Sequence, residues 1–471
     1  MRKLLNIIAV LALVLATGCM EELAPAEVTG EGDGWLTIDF SAKEGLEVTT
    51  KSTQSEVTES QVRNFYIFIF DAQGHKKYGQ FFDKNNQKTT AAGVETALED
   101  CWYIKNATTG DLGTTGKVQV KLSEGEGYKV YMLANVDSDM VKISSDLLSN
   151  NINKEQDLLD FNVYLNQTIV YRNTYFPMSG RLTNVKVDGN TLTSTEGTML
   201  LERLDAKIRF IFKAGTRADE RGQTIKSFQP YKWKVVNVPR TAYVVGRDDE
   251  DHCSVDPATY VSNYSDYAKY FFDSGFVNFE KSNTDGSSEF AFYMLENRQV
   301  PKKAPTKYQD RSRPAKEDNG RNKECEVTYV LDGETITRDM KVFEYANDFS
   351  TYVVVTGKVD MELKDDSAGQ VLAGDVQYII HLGDWTANID ASGPEDGKDT
   401  YTNYTNFKTE RNTSYTYTVT VNSVNNIRVE IDSSKGGNPG DVDEGQPGAS
   451  GFLTIAKEEI ALCDAHYTSK T

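Results

Sequence analysis

The chain has 471 residues and a formal charge of -19, from 51 Lys plus Arg against 70 Asp plus Glu. Acidity on this scale excludes nucleic acid as a partner, because polyanions are bound by neutralising their phosphates. The length suits about two or three ordinary domains with sizeable cores, so neither a metal nor a disulfide is required to hold the fold.

Arg2 and Lys3 lead into an apolar run from Leu4 to Leu15, broken only by Asn6. That run is too short to span a bilayer and has the form of a secretion signal. Ala16-Thr17-Gly18-Cys19 follows, and small residues ahead of a cysteine resemble a bacterial lipobox. On this reading residues 1–18 are a lipoprotein signal peptide, and Cys19 is acylated and anchored in outer-membrane lipid, a stable attachment when several chains are added. The competing reading is an ordinary signal peptide cut near Gly18, with Cys19 a bystander. Loss of residues 1–18 removes Arg2 and Lys3 and takes the net charge from -19 to -21. Glu21 and Glu22 behind the cysteine resemble an acidic export tag for the cell exterior.

Residues 19–34, rich in Glu, Gly, Pro and Ala, read as a flexible tether. Trp35 to Phe40 is the first strand candidate. It buries either Trp35 and Thr37 or Leu36, Ile38 and Phe40, and the second set is the more apolar. From Ser41 to Val62 the chain is a polar connection open to proteases, with Lys43 and Lys51 the only basic residues between Cys19 and Arg63. Phe65 to Phe70 is apolar on both faces and suits a central strand. Lys117 to Leu122 alternates cleanly, and with Tyr128 to Asn135 behind Gly125 and Gly127 it predicts a hairpin. Ser144 to Leu165 carries leucines at nearer helical spacing and reads as a helical insertion. Leu204, Ala206, Ile208 and Phe210 alternate with Asp205, Lys207 and Arg209, the pattern of a strand with one buried face.

A charged stretch with Gly215 and Gly222 sets a domain boundary at 214–223, between an N-terminal β-sandwich over 35–213 and a C-terminal one over 224–431. The second half is written in strands at Trp233–Val238, Phe290–Leu295, Tyr352–Thr356, Val376–His381, Tyr415–Asn422 and Ile427–Ile431. Tyr415, Tyr417, Val419 and Val421 share one face against Thr416, Thr418 and Thr420. Pro301 to Arg321 is a basic loop. Residues 432–450 are a Gly- and acid-rich linker. Residues 451–471, with apolar Phe452–Ala456 and Ile460–Cys463, form a C-terminal extension or open a further domain.

Chemistry-bearing patterns are sparse. His75, His252, His381 and His466 are scattered, and no HExxH, Walker A, Rossmann or GxSxG pattern occurs. No catalytic residue, cofactor or metal is expected. The oxygen-rich runs Asp83–Asn86 and Asp248–Asp251 lack the EF-hand spacing. Cys101, Cys253, Cys325 and Cys463 have no CxxC spacing, and in an oxidising compartment they allow three pairings among which sequence does not choose. The 25 Tyr, 21 Phe and 4 Trp permit glycan stacking, so a surface glycan-binding lipoprotein with tandem β-sandwiches is the alternative function. Most of these rings fall in alternating strands, where core packing is their ordinary role.

Six segments in order resemble the fimbrillin family, the lipoprotein pilus subunits of Bacteroidetes, and within it a gut Bacteroides group with a domain of unknown function. They are Val62–Asp71 (VRNFYIFIFD), Tyr128–Val136 (YKVYMLANV), Phe176–Gly180 (FPMSG), Leu201–Phe210 (LERLDAKIRF), Phe292–Asn297 (FYMLEN) and Arg411–Ile431 (RNTSYTYTVTVNSVNNIRVEI). The resemblance spans about residues 35 to 431 and implies an all-β chain with two tandem transthyretin-like antiparallel sandwiches. It further implies a surface-exposed outer-membrane lipoprotein that acts as a fimbrial subunit or fimbria-associated adhesin. Its partners would be other pilin subunits and a host, bacterial or glycan ligand. Subunits of the family polymerise by exchanging a β-strand, and stalk subunits are typically cut after an arginine between the first two strands. Here that connection carries Lys51 and no arginine before Arg63. Cleavage at Lys51 would free Leu36, Ile38 and Phe40 with the first strand, whereas an uncut chain would be a lipid-held base or capping subunit.

Overall fold

Period-two alternation writes most of this chain as strands, and strands build the computed structural model. It describes residues 34–42, 59–83, 85, 101–104, 115–136, 143–165, 170, 175–189, 192–195, 197–216, 224–247, 267–279, 286–331, 334–362, 371–388, 400–423, 426–435 and 454–459. The fold is all-β. Its first strands are β1 (Gly34–Ala42), β2 (Phe65–Phe70), β3 (Lys76–Phe82), β4 (Cys101–Ile104), β5 (Thr115–Leu122), β6 (Gly125–Ala134), β7 (Asn162–Tyr164), β8 (Met178–Val187), β9 (Leu192–Ser194) and β10 (Met199–Arg203). Among the described residues all of these but β7 form one sheet in the order β3-β2-β6-β8-β10-β1-β5-β4, with β9 also beside β1. Ile67 and Met132 from one half of this sheet share a core with Ile38 and Val120 from the other, so the sheet is folded over on itself. Its two halves are the layers of a sandwich.

β2 is buried on both faces from Phe65 to Phe70, as its unbroken apolar run requires. Phe65, Ile67 and Ile69 face the sandwich core, while Tyr66, Phe68 and Phe70 face the helical insertion. That insertion consists of helices Ser145–Asn151 and Glu155–Leu159 followed by β7. Ser144 caps the first helix by accepting the Leu147 N–H. Leu148, Ile152 and Leu158 cover the outer face of β2, and β7 crosses to pair with residues 241–243.

The expected hairpin of Lys117–Leu122 with Tyr128–Asn135 is not formed. β5 pairs with β1 and β4, and β6 pairs with β2 and β8. The edge of β5 that a hairpin would use is occupied by β1 along eight residue pairs, so the short connection crosses between layers.

The second set comprises β11 (Asp205–Ala214), β12 (Thr224–Val236), β13 (Val238–Pro239), β14 (Thr241–Tyr243), β15 (Phe271–Phe272), β16 (Val277–Asn278), β17 (Ser288–Leu295), β18 (Glu324–Leu331), β19 (Glu334–Lys341), β20 (Tyr352–Glu362), β21 (Val371–His381), β22 (Thr386–Asn388), β23 (Thr400–Thr402), β24 (Thr413–Ser423), β25 (Asn426–Lys435) and β26 (Thr454–Glu459). A five-stranded sheet, β17-β11-β24-β25-β26, faces a four-stranded one, β16-β12-β20-β21. Aromatic rings bridge the layers. Trp233 stacks on Phe290 with centroids 4.1 Å apart, and Phe210 lies 5.2 Å from Phe290 and 4.7 Å from Tyr417. The hairpin β18–β19 is clipped to this sandwich by Arg338, which pairs with Asp273 and lies over the rings of Tyr267 and Tyr329.

β11 corrects the expected organisation. A boundary at 214–223 leaves it with the N-terminal strands, but it pairs antiparallel with β17 and parallel with β24. The two sets of strands therefore divide at Leu204. Charge and glycine content mark a surface connection, and here that connection is internal to the second sandwich.

Truncating the ring at the centre of the second core, Phe290→Ala, is expected to cost about 3–5 kcal/mol, because Trp233 and Phe210 cannot collapse into the void. The midpoint of denaturant unfolding checks this; an unchanged midpoint would show that the stack contributes little.

Candidate functional site

The site begins with β1, because that strand is interior and is contributed by the far N-terminal end of the described chain. On one side it bonds antiparallel to β5 from Gly34↔Leu122 to Ser41↔Thr115. On the other, Trp35–Thr37 pair parallel with β9 and Phe40–Ala42 pair parallel with β10. Leu36, Ile38 and Phe40 point inward and are at most 1 % exposed. Thr37 is buried on the opposite face, where it accepts a hydrogen bond from Gln119 Nε2 at 3.2 Å. The backbones approach so closely at Gly34 that a Cβ there would lie 2.9 Å from the Leu122 carbonyl oxygen. Cys19 and Lys51 lie outside the described residues.

Sequence reasoning missed the place where the chain returns. Glu59 is buried at the junction of the two strand sets, and its Oε1 accepts from Lys207 Nζ at 2.7 Å and from the Tyr293 hydroxyl at 2.6 Å. Ser60 Oγ accepts from Arg203 Nη1 at 3.4 Å. Asn135, at φ 58°, accepts from the Arg63 N–H and donates to the carbonyls of Gln61 and Phe176. Asparagine tolerates this left-handed conformation better than most residues. Asp205 and Lys207, assigned to a solvent face by alternation, are buried because this junction covers them. An acid in a polar connection gives no signal of such a contact; the alternating lysine of β11 is half of it.

At the other end of the chain, β26 pairs antiparallel with β25 from Ile431↔Thr454 to Asn426↔Glu459 and forms the outer strand of its sheet. This strand overlaps Phe452–Ala456 and runs past it, while Ile460–Cys463 lies outside the described residues.

Beside the junction, a cleft of about 610 Å³ lies between the two sandwiches, lined by Arg181, Glu202, Arg247, Glu296, Arg298 and Arg411 among others. Three of its arginines are engaged internally. Arg411 bonds Glu296 at 2.5 Å and the Tyr243 carbonyl at 2.7 Å, Arg247 bonds Asp160 at 2.7 Å, and Arg298 donates to the Arg247 carbonyl. Burial works to raise the Glu296 pKa, but the Arg411 and Arg298 guanidiniums leave it lowered. The cleft is a polar seam, lined by both arginines and glutamates.

Groups with chemical potential elsewhere serve packing. His381 is buried, with Nδ1 3.0 Å from Ser312 Oγ and its ring edge-on to Phe343 and Phe407. Burial, reinforced by nearby Arg311 and Lys302, holds its pKa well below the ordinary imidazole value. Arg311, from the expected basic loop, is buried between Trp385 and Phe407 and donates to the carbonyls of Leu382, Tyr404 and Asn406. Asp83 holds Asn85 in a local turn, and among the described residues no cluster of His, Cys, Asp and Glu gathers to hold a metal. Asp248–Asp251, Cys253 and Cys463 lie outside the described residues, only the backbone of Cys101 is described, and Cys325 is a free thiol. The exposed large rings among the described residues are Tyr164, Tyr231 and Phe276; most of the others pack in cores.

Residues 36–221 match the family model of the major fimbrial subunit protein (FimA). No curated protein matches the chain. Among solved structures, the C-terminally truncated tip fimbrial protein Mfa3 of Porphyromonas gingivalis is similar at 14 % identity, covering 85 % of this chain and 98 % of that one, with a TM-score of 0.41. A fimbrilin (FimA) from the same organism is similar at 10 % identity over 90 % and 96 %, with a TM-score of 0.36. A fimbrial assembly protein from Parabacteroides distasonis is similar at 12 % identity over 84 % and 94 %, with a TM-score of 0.34.

The His381 environment sets a pH dependence. A depressed native pKa means that the unfolded chain binds the extra proton first, at about pH 6.5, so stability falls as the pH drops below that value. Between pH 7.5 and 5.5 the loss approaches about 1 kcal/mol per pH unit below 6.5. His381→Phe, which keeps the aromatic packing and cannot titrate, should flatten that slope in urea melts. Identical slopes for the two proteins would refute the assignment.

Proposed function

On the premise that residues 36–221 carry a domain of the fimbrillin family whose model describes the major fimbrial subunit, we propose that this protein is a surface fimbrial subunit or fimbria-associated adhesin that assembles by β-strand exchange. The observation that carries the reading is β1, an interior strand joined to the rest of its domain through residues 43–58. Ala42 pairs with Leu201 and Ser60 contacts Arg203, so that connection leaves from and returns to β10. Lys51 stands nine residues after Ala42 and eight before Glu59.

Cleavage at Lys51 severs β1 from β2. Loss of Leu36, Ile38 and Phe40 then opens an apolar slot whose walls are unpaired backbone groups of β5, β9 and β10. Such walls accept another strand. The donor is the C-terminal segment of a second subunit around Phe452–Cys463, which follows the Gly-rich linker and of which Thr454–Glu459 pairs with β25 in this chain. Before cleavage the protein is held in the outer membrane through acylated Cys19. The protein works by assembly and adhesion and catalyses nothing.

Trimming the purified precursor with a lysine-specific protease, checked by mass spectrometry for a cut at Lys51, should produce detergent-resistant ladders on an unboiled gel. Deleting residues 452–471 should abolish them. A stable monomer after clean cleavage would exclude exchange. In cells, Cys19→Ala should move the protein out of the membrane fraction, and unchanged fractionation would overturn the lipid anchor.

A further inference from the structure

Exchange raises a problem that the first-strand slot does not solve by itself. β1 does not bond to β2, but the rings of Phe40 and Phe65 are 5.5 Å apart and share one core. Removing β1 strips apolar cover from β2, and a cut at Lys51 gives β2 a new, free N-terminal end. Fresh chain ends fray inward until a strong contact stops them. Were fraying to reach β2, the receptor slot would lose the layer opposite it, because Phe65, Ile67 and Ile69 form its floor.

We propose that Glu59 is the stop: a positioning residue that confines strand loss to β1 and keeps β2 in place once the chain is cut. The inference rests on the strand-exchange reading above. Glu59 lies eight residues past Lys51, and its carboxylate bonds at once to Lys207 on β11 and Tyr293 on β17. The tie therefore crosses from the start of the β2 segment to the other sandwich, which the cut does not touch. Charge-assisted bonds of this kind, both shorter than 2.8 Å, are the strong ones, and this pair is shielded from water. Releasing Glu59 would leave Lys207 buried without its counter-charge, so fraying past this point is opposed by the second sandwich as well. Ser60 on Arg203, Val62 in the first core and the Asn135 side chain on Gln61 and Arg63 extend the hold up to β2.

The experiment is hydrogen exchange of the Phe65–Phe70 amides in the full chain, intact and after cleavage at Lys51, for wild type and Glu59→Gln. Wild type should keep its protection of β2 on cleavage. Intact Glu59→Gln should resemble intact wild type in that strand, while the cut variant should exchange about tenfold faster or more, the change expected for losing one hydrogen bond to a charged group. Equal protection in the two cut proteins would overturn the proposal. Tyr293→Phe removes only the hydroxyl donor and serves if Glu59→Gln does not fold; it should give a smaller acceleration in the same direction after cutting, and no acceleration would likewise overturn the proposal. Retention of β1 in cut wild type counts against strand exchange, while the comparison of cut wild type with cut variants still decides for or against Glu59.

Discussion

A strand in the interior of a sheet satisfies two rows of backbone partners, and taking it away leaves both rows unpaired. This constraint governs the N-terminal half of the molecule. β1 stands between β5 on one side and β9 and β10 on the other, so its bonds close the sheet and its three apolar side chains fill the space between the layers. The element that completes the sandwich is joined to everything that follows through residues 43–58. Closure of the sheet and filling of the core therefore depend on the same nine residues.

The junction of the sandwiches answers a different need. A hydrophobic seam would bind the halves but would not fix which groups meet. Glu59 with Lys207 and Tyr293, and Arg247 with Asp160 and the Leu159 carbonyl, specify the contact through directional bonds. Removing one partner from such a pair strands the other, so these contacts are costly to break singly even where their net contribution to stability is modest. β7 on β14 adds a backbone ladder across the same divide.

Much of this was legible in the residues. The alternation of Tyr415, Tyr417, Val419 and Val421 is the inward face of β24, and the unbroken run of β2 is a strand covered on both sides. The alternation of β1 likewise accounts for the burial of Leu36, Ile38 and Phe40 but says nothing of whether that strand departs. The misreadings share one cause. Alternation reports which side chains are apolar, not which strand lies alongside or what covers the polar face. Asp205 and Lys207 resemble a wet surface until the junction segment is laid over them, and β5 followed by two glycines resembles a hairpin until β1 occupies its edge. Partner choice is a long-range property, and β11 finds its partners about 80 and 210 residues downstream.

The two-sided bonding of β1 also has a mechanical meaning. A load applied along this strand pulls parallel to its neighbours, so the antiparallel pairs with β5 and the parallel pairs with β9 and β10 are strained in shear. They cannot be opened one at a time from a free edge, and rupture requires both ladders to slip together. Any strand seated in that slot in the same register inherits this loading geometry. Resistance to pulling is then set by the height of the barrier to slippage and not by equilibrium affinity, because forced separation is governed by the rate of opening. An interior position makes a non-covalent joint behave, on the timescale of a tug, like a continuous chain.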